Sequence, residues 1–166
     1  MTLRRAVALT PLVFLAHDAE EIATVERWTR AHAGLFPPPL RAHLPVPTAH
    51  FATGVAVFFA ALVVVSLLAF REPRPGPATR VWIVAVGALL ANAATHPVQA
   101  LAAGGYVPGV VTAVVLVLPF TLLALRRAVG DGAATRRGAL AACAAGLVLQ
   151  APLALLALAA GRVLGG

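Results

Sequence analysis

Charge is scarce in this 166-residue chain: 11% of its positions are Asp, Glu, Lys or Arg, less than half of the roughly 25% usual in soluble domains. That excludes a disordered chain and an ordinary soluble globule. Cysteine is nearly absent. The single Cys143 cannot close an internal disulfide, and no cysteine pair exists for a thiolate metal site. It lies among Ala and Gly and reads as a small packing residue. Aromatic residues make up 6% and do not interleave with the arginines, so no stacking platform for nucleic acid is present. The one serine is Ser66. No Gly-x-Ser-x-Gly and no glycine-rich phosphate loop occur, which argues against nucleophilic acyl transfer and nucleotide binding.

What the chain has in abundance is apolar surface. Hydrophobic residues make up 60% and the mean hydropathy is +0.90. The composition predicts an all-α, polytopic membrane helix bundle with membrane lipids as its surroundings. About five spans fit, at roughly 4–33, 50–70, 81–103, 107–125 and 138–160. They fill residues 1–166 as a single transmembrane domain. Met1 to Leu15 resembles a signal peptide, but no small-residue cleavage site follows. The segment is therefore expected to stay as a first span with an amphipathic outer end. The proline-rich stretch around Pro37-Pro38-Pro39 reads as a loop. Segment 71–77 reads as a tight basic turn, and 126–137 as a second basic loop.

The net charge of +7 is carried entirely by arginine on the basic side. In this context it reports membrane topology rather than nucleic-acid binding. With the N-terminus inside, Arg4, Arg5, Arg71, Arg74, Arg80, Arg126, Arg127, Arg136 and Arg137 fall on the inner side. Arg27, Arg30, Arg41 and Arg162 fall outside. The bias predicts an inside N-terminus and an outside C-terminus, in the plasma (cytoplasmic) membrane.

Ionisable residues inside spans are costly and tend to be functional. At 100° per residue, His17 and Glu21 lie about 40° apart and Glu20 about 60° to the other side of His17. Thr10 and Thr24 share that stripe, and Asp18 lies at its edge. Glu26 points away, one turn from Arg30. On the third span Asn92, His96 and Gln99 stand at i, i+4 and i+7, a second polar ridge. Pro97 leaves the Ala93 carbonyl without its usual partner. Helical rise puts His17 roughly 18 Å from Arg5 and His96 roughly 24 Å from Arg80. Gln150 stands roughly 20 Å from Arg137 by the same measure. Thr112 enters from the outer side. Four spans thus place polar groups at one level, and a single polar pocket in the outer half of the bilayer follows. Gln150 and Thr112 also have a plainer reading as interhelical hydrogen-bonding residues. His50 reads as an interface residue, and His32 and His43 as loop residues.

The segment His17-Asp18-Ala19-Glu20-Glu21 matches the H-x-x-E-E motif that names the HXXEE family of small membrane proteins. Asn92-Ala93-Ala94-Thr95-His96 resembles that family's Asn-x-x-x-His stretch. Tyr106-Val107-Pro108-Gly109-Val110-Val111-Thr112 resembles its Tyr-x-Pro-Gly-x-x-Thr stretch, and Leu118-Pro119 a Leu-Pro further on. The resemblance spans roughly residues 5–125. It supports the choice of residues and carries no reaction with it.

The reading these residues favour is an intramembrane enzyme of hydrolase, isomerase or cyclase type acting on a lipophilic small molecule. Its expected catalytic set is His17, Glu20, Glu21, Asn92 and His96. Thr10, Gln99, Tyr106, Thr112 and Gln150 are expected around the substrate. Two mechanisms fit. In one, His17, Glu21 and His96 bind a divalent metal (zinc, iron or manganese), Glu20 is the general base and Asn92 orients a ligand. In the other no metal takes part, and a glutamic acid buried in hydrocarbon donates a proton to an alkene or epoxide. A small carrier and an accessory subunit are the competing classes. The carrier is disfavoured because no polar path continues inward below Thr10. An accessory role would use the Ala- and Gly-rich fifth span against a partner helix.

Overall fold

The computed structural model describes residues 1–72 and 75–164. Arg74 and the side chain of Arg162, both counted in the arginine bias, lie outside the described residues. Helices dominate, and no strand occurs among the described residues. They are α1 (Leu3–Ala31), the single turn α2 (Pro38–Arg41), α3 (Thr48–Arg71), α4 (Pro77–Ala103), α5 (Val110–Gly130) and α6 (Arg136–Leu164). Of these, α3, α4 and α5 are long and apolar enough to cross a membrane.

Helix starts show how the scarce acids are used. α1 caps itself: the Thr2 hydroxyl accepts a hydrogen bond from the Arg5 amide at 3.3 Å. α3, α4 and α5 begin after Pro47, Gly76 and Gly109, none of which has a side chain able to cap. A glutamate from elsewhere does so in each case. Glu26 on α1 accepts from the Thr48 amide at 2.9 Å and from its hydroxyl at 3.0 Å. Glu72 accepts from the amides of Gly76, Ala78 and Thr79 and from the Thr79 hydroxyl at 2.6 Å. Glu20 on α1 accepts from the Thr112 amide at 2.7 Å and from the Val111 amide at 3.3 Å. Each carboxylate satisfies orphaned amides at the positive end of a helix dipole. Glu26 also pairs with Arg30 at 2.9 Å, as the spacing predicts.

Two loops differ from their sequence readings. The basic loop expected over 126–137 is shorter, because α5 continues through Arg126 and Arg127 to Gly130. No Gly or Pro occurs between Pro119 and Gly130 to end it sooner. The proline-rich loop contains a 3-10 turn at Ala33–Leu35 and the turn α2. Inside α5, a π-helical segment runs over Ala113–Val117, just before Pro119. Pro119 has no amide to give the preceding turn, and the widened turn absorbs the mismatch.

α4 is the hub of the bundle, packing against α3, α5 and α6. Trp82 is fully buried on it, and its indole donates to the Thr10 hydroxyl at 3.0 Å. That hydroxyl in turn donates to the Ala6 carbonyl at 2.8 Å. α4 and α6 approach closely through glycines. A Cβ on Gly87 would meet the Ala142 backbone, and one on Gly146 the Ala88 backbone. The small residues of the last helix therefore pack within this chain, in the manner of small-residue helix contacts in bilayers.

Candidate functional site

α1 brings His17 and Glu21 to one face, and α4 brings Asn92 and His96 against it. His17 and His96 are almost fully buried. Their rings meet edge to face with centroids 4.9 Å apart. Glu21 Oε1 stands 3.4 Å from His96 Nε2 and 3.9 Å from His17 Nε2. One ligand atom from each residue lies within 4.8 Å of the others. The edge of a tetrahedron with metal–ligand bonds of about 2.1 Å is about 3.4 Å, so the spacing suits a shared ion. Two imidazoles and one carboxylate, with a fourth position left to a water or substrate, are a usual catalytic donor set. The His17–Glu21–His96 group can therefore hold a metal.

The hydrogen bonds around the group orient His17, whereas His96 Nδ1 is buried without a hydrogen-bond partner. The Thr112 hydroxyl donates to Glu20 Oε2 at 2.6 Å. It is then free to accept, and His17 Nδ1 lies 2.9 Å from it. The proton of neutral His17 thus sits on Nδ1, and the Nε2 lone pair faces Glu21 and His96. Asn92 Nδ2 lies 3.4 Å from the Nε2 atoms of both histidines. Gln150 Nε2 donates to Asn92 Oδ1 at 2.6 Å and holds the amide in that orientation. A hydroxyl linked to a carboxylate behind His17 Nδ1 is the kind of support that aligns a metal ligand, whereas the Asn92 amide meets the same Nε2 atoms that face Glu21 and so borders the ligand position itself.

Gly109 closes the outer side of the group. Its φ is +80°, in the left-handed region. A Cβ there would stand 2.8 Å from both His17 Cε1 and Glu21 Cγ. Glycine is needed twice over: for the turn that starts α5, and for the close approach of that backbone to two site residues. Neighbouring Tyr106 donates its hydroxyl to Glu20 Oε1 at 2.9 Å. Its carbonyl accepts from the Trp28 indole at 2.7 Å. Burial pushes the Tyr106 phenol above its ordinary pKa.

Below the group opens a cavity of about 500 Å³. Its polar wall carries Asp18, Glu21, Asn92, His96, Gln99 and Gln150. Its apolar wall includes Phe14, Phe58, Leu62, Val65 and Ala85. Asp18 is 7% exposed, and its Oδ2 has no hydrogen-bond partner.

The residues singled out in the sequence thus fall into three settings. His17, Glu21, Asn92 and His96 come together. Gln99 and Gln150 line the cavity, Gln99 also donating to Thr95 at 3.0 Å. Glu20, Tyr106 and Thr112 lie behind His17 as one hydrogen-bonded unit. Both Glu20 oxygens are engaged there, which leaves no lone pair aimed at the cavity in the way a general base needs. Thr10 is spent in the core on Trp82 and Ala6. Three features had not been identified from the sequence. Asp18, placed at the edge of the α1 stripe, proves to be a cavity residue. Gly109 stands in the Tyr-x-Pro-Gly-x-x-Thr stretch, which does not reveal its close approach to His17 and Glu21. The α3 wall carries no polar residue that would have marked it.

A family model described as "Protein of unknown function with HXXEE motif" matches residues 8–124. No curated protein and no solved structure matches the chain. The matched segment covers well over half of the sequence. It includes His17, Glu20, Glu21, Asn92, His96, Gly109 and Thr112, and ends before Gln150. The chain therefore belongs to the HXXEE family.

Proposed function

We propose that this chain is an integral membrane enzyme that binds a divalent metal (zinc, iron or manganese) through His17, Glu21 and His96 and acts on a lipophilic small molecule in the adjoining cavity. One observation carries the reading: three ligand atoms converge at the polar end of an apolar cavity, with the coordinating lone pair of His17 already aimed inward. A metal bound there supplies Lewis acidity toward a carbonyl or a water. The chain's own groups do the rest. Thr112 and Glu20 hold the His17 tautomer. Asn92, held by Gln150, presents its amide to the Nε2 atoms of both imidazoles and borders the metal position. Asp18 is the carboxylate that faces substrate, in place of Glu20, which is committed to the α5 start. Gln99 offers hydrogen bonds to a polar group of the substrate.

In this reading α1 and α6 cross the bilayer with α3, α4 and α5, giving five spans with the N-terminus inside the plasma membrane. The arginine bias supports that orientation. A second, metal-free reading draws on the unpartnered Asp18 oxygen and on Glu21. Two carboxyl groups in one apolar cavity form a donor and acceptor pair suited to isomerisation or cyclisation.

Elemental analysis of detergent-purified protein, wild type beside His17→Ala and His96→Ala, separates the two. Near-stoichiometric metal in the wild type, lost in both variants, is the expected result. Wild-type protein that is purified without chelator, carries no metal and takes none up from buffer would sink the metal reading and leave the carboxyl pair.

A further inference from the structure

We infer that the cavity beneath the His/Glu group takes one single-chain lipid, entering sideways from the hydrocarbon at Ala61, with its polar end at Asn92, Gln99 and Gln150. The inference deepens the proposed function by naming the substrate class, and it rests on that reading for the position of the reacting end.

The first argument is access. Ala61 lines the cavity and is itself exposed, so the cavity is open at that position. It lies near the middle of a helix that runs from Thr48 to Arg71. An opening at that level of an apolar span faces hydrocarbon rather than water. A ligand that uses it must be soluble in the membrane.

The second argument is polarity. The polar lining residues all belong to the outer part of the cavity: Asp18, Glu21, Asn92, His96, Gln99 and Gln150. The other end is lined by Val65, Leu62 and Ala85, whose side chains offer no hydrogen bond. A ligand with one polar end and one long apolar end satisfies both halves. A compact polar molecule leaves the apolar half unfilled.

The third argument is size. From Phe51 to Val65 the cavity follows α3 for about 21 Å of helical rise. Its volume of about 500 Å³ is about three times the ~150 Å³ that accommodates one benzene, so room exists for roughly 18–20 carbons. One fatty-acyl or isoprenoid chain fits this space, and the two chains of a glycerophospholipid do not. Val65 then limits how far a chain can extend inward along α3.

The test is photo-crosslinking of the full chain in nanodiscs with diazirine-bearing probes. One arm uses fatty acids of 8, 12, 16 and 20 carbons, and the other uses prenols of 10, 15 and 20 carbons. The inference expects labelled peptides from the cavity faces of α3 and α4, with one arm labelling more strongly and so naming the source of the chain. Ala61→Trp should cut labelling at least tenfold, and Val65→Phe should move the preferred chain to a shorter member of its series. Leu67→Phe, on the exposed face of α3 and outside the cavity, should change nothing. Because Ala61 is exposed, its variant keeps the core intact even if Val65→Phe fails to fold. Labelling confined to the outer face, or unaffected by Ala61→Trp, overturns the inference. Metal content read on the same samples keeps the two ideas apart. Metal without cavity labelling removes only the lipid inference, and cavity labelling without metal removes only the metal.

Discussion

Replacing Gly109 by alanine adds one methyl group and tests the site from the outside. Two penalties act on it. With φ at +80°, an L-residue in the left-handed region costs about 1–2 kcal/mol. The new Cβ would also stand 2.8 Å from His17 Cε1 and from Glu21 Cγ. Carbon atoms pack at about 3.5–4.0 Å, so one or both side chains must retreat by about 1 Å. Overpacking of that kind costs a further ~1–3 kcal/mol. Gly104 supplies the control. Its φ is +70°, and nothing lies within 4 Å of a Cβ built there. Gly104→Ala should therefore show the backbone penalty alone. The assay is reversible unfolding in detergent, with metal affinity measured on the same preparations. Gly109→Ala should be about 1–3 kcal/mol less stable than Gly104→Ala. It should also bind metal about 10–100-fold more weakly, since a displaced ligand loses its alignment. Equal stability of the two variants, with unchanged metal affinity in both, would refute the close approach of the α5 start to His17 and Glu21.

Two further outcomes follow from the hydrogen bonds. Thr112→Val keeps the side-chain shape and removes the hydroxyl between Glu20 and His17, so metal affinity should fall about 10–100-fold while the helix content seen by circular dichroism stays unchanged. Glu72 bears on acid stability: hydrogen bonds from the Thr79 hydroxyl and from the Ala78, Thr79 and Gly76 amides hold its pKa below the usual carboxylate range. A carboxyl group lowered on folding contributes stability above its unfolded pKa of about 4.3 and loses it as pH falls through the folded value. Between neutral pH and that window Glu72→Gln should be the less stable protein, and below it the difference should close, as thermal unfolding across pH 2–7 would show.

Much of the site was legible because helical geometry is regular. His17 and Glu21 on one helix and Asn92 and His96 on another each share a face by their i, i+4 spacing. Pairing the two ridges needed only that they stand at the same height, which the arginine positions supply. Glu20 shows where that reasoning stops. Its angle put it on the polar stripe, but angle alone does not reveal what lies opposite. The start of α5 brings two backbone amides, a threonine hydroxyl and a tyrosine hydroxyl to the same carboxylate. Those donors come from residues 86 to 92 positions away in sequence. The same holds for Thr10, whose stripe position does not reveal its partner Trp82, 72 residues on. The apolar wall on α3 left no trace in the sequence, since alternating Ala, Val, Leu and Phe look alike whether they face lipid, core or a cavity.

The distribution of acids narrows the chemistry further. The chain has six acidic residues. Glu20, Glu26 and Glu72 are each engaged by the amides at the start of a helix that cannot cap itself. Asp131 lies exposed in the turn after α5. Glu21 and Asp18 are left, and both line the cavity. A buried carboxylate without a cap, an arginine or a full set of donors is destabilising unless it serves another purpose. No arginine pairs with either among the described residues. Glu21 finds its counterpart in two imidazoles, whose nitrogens are ligands rather than permanent charges. That arrangement is poorly compensated as an ion pair and well compensated around a cation. Asp18, one position from His17 and lacking even that partner on one oxygen, is the group that would meet a substrate in the proposed reading. The two cavity-lining carboxylates, which neither helix capping nor exposure to solvent explains, are thus the two that the proposed chemistry requires.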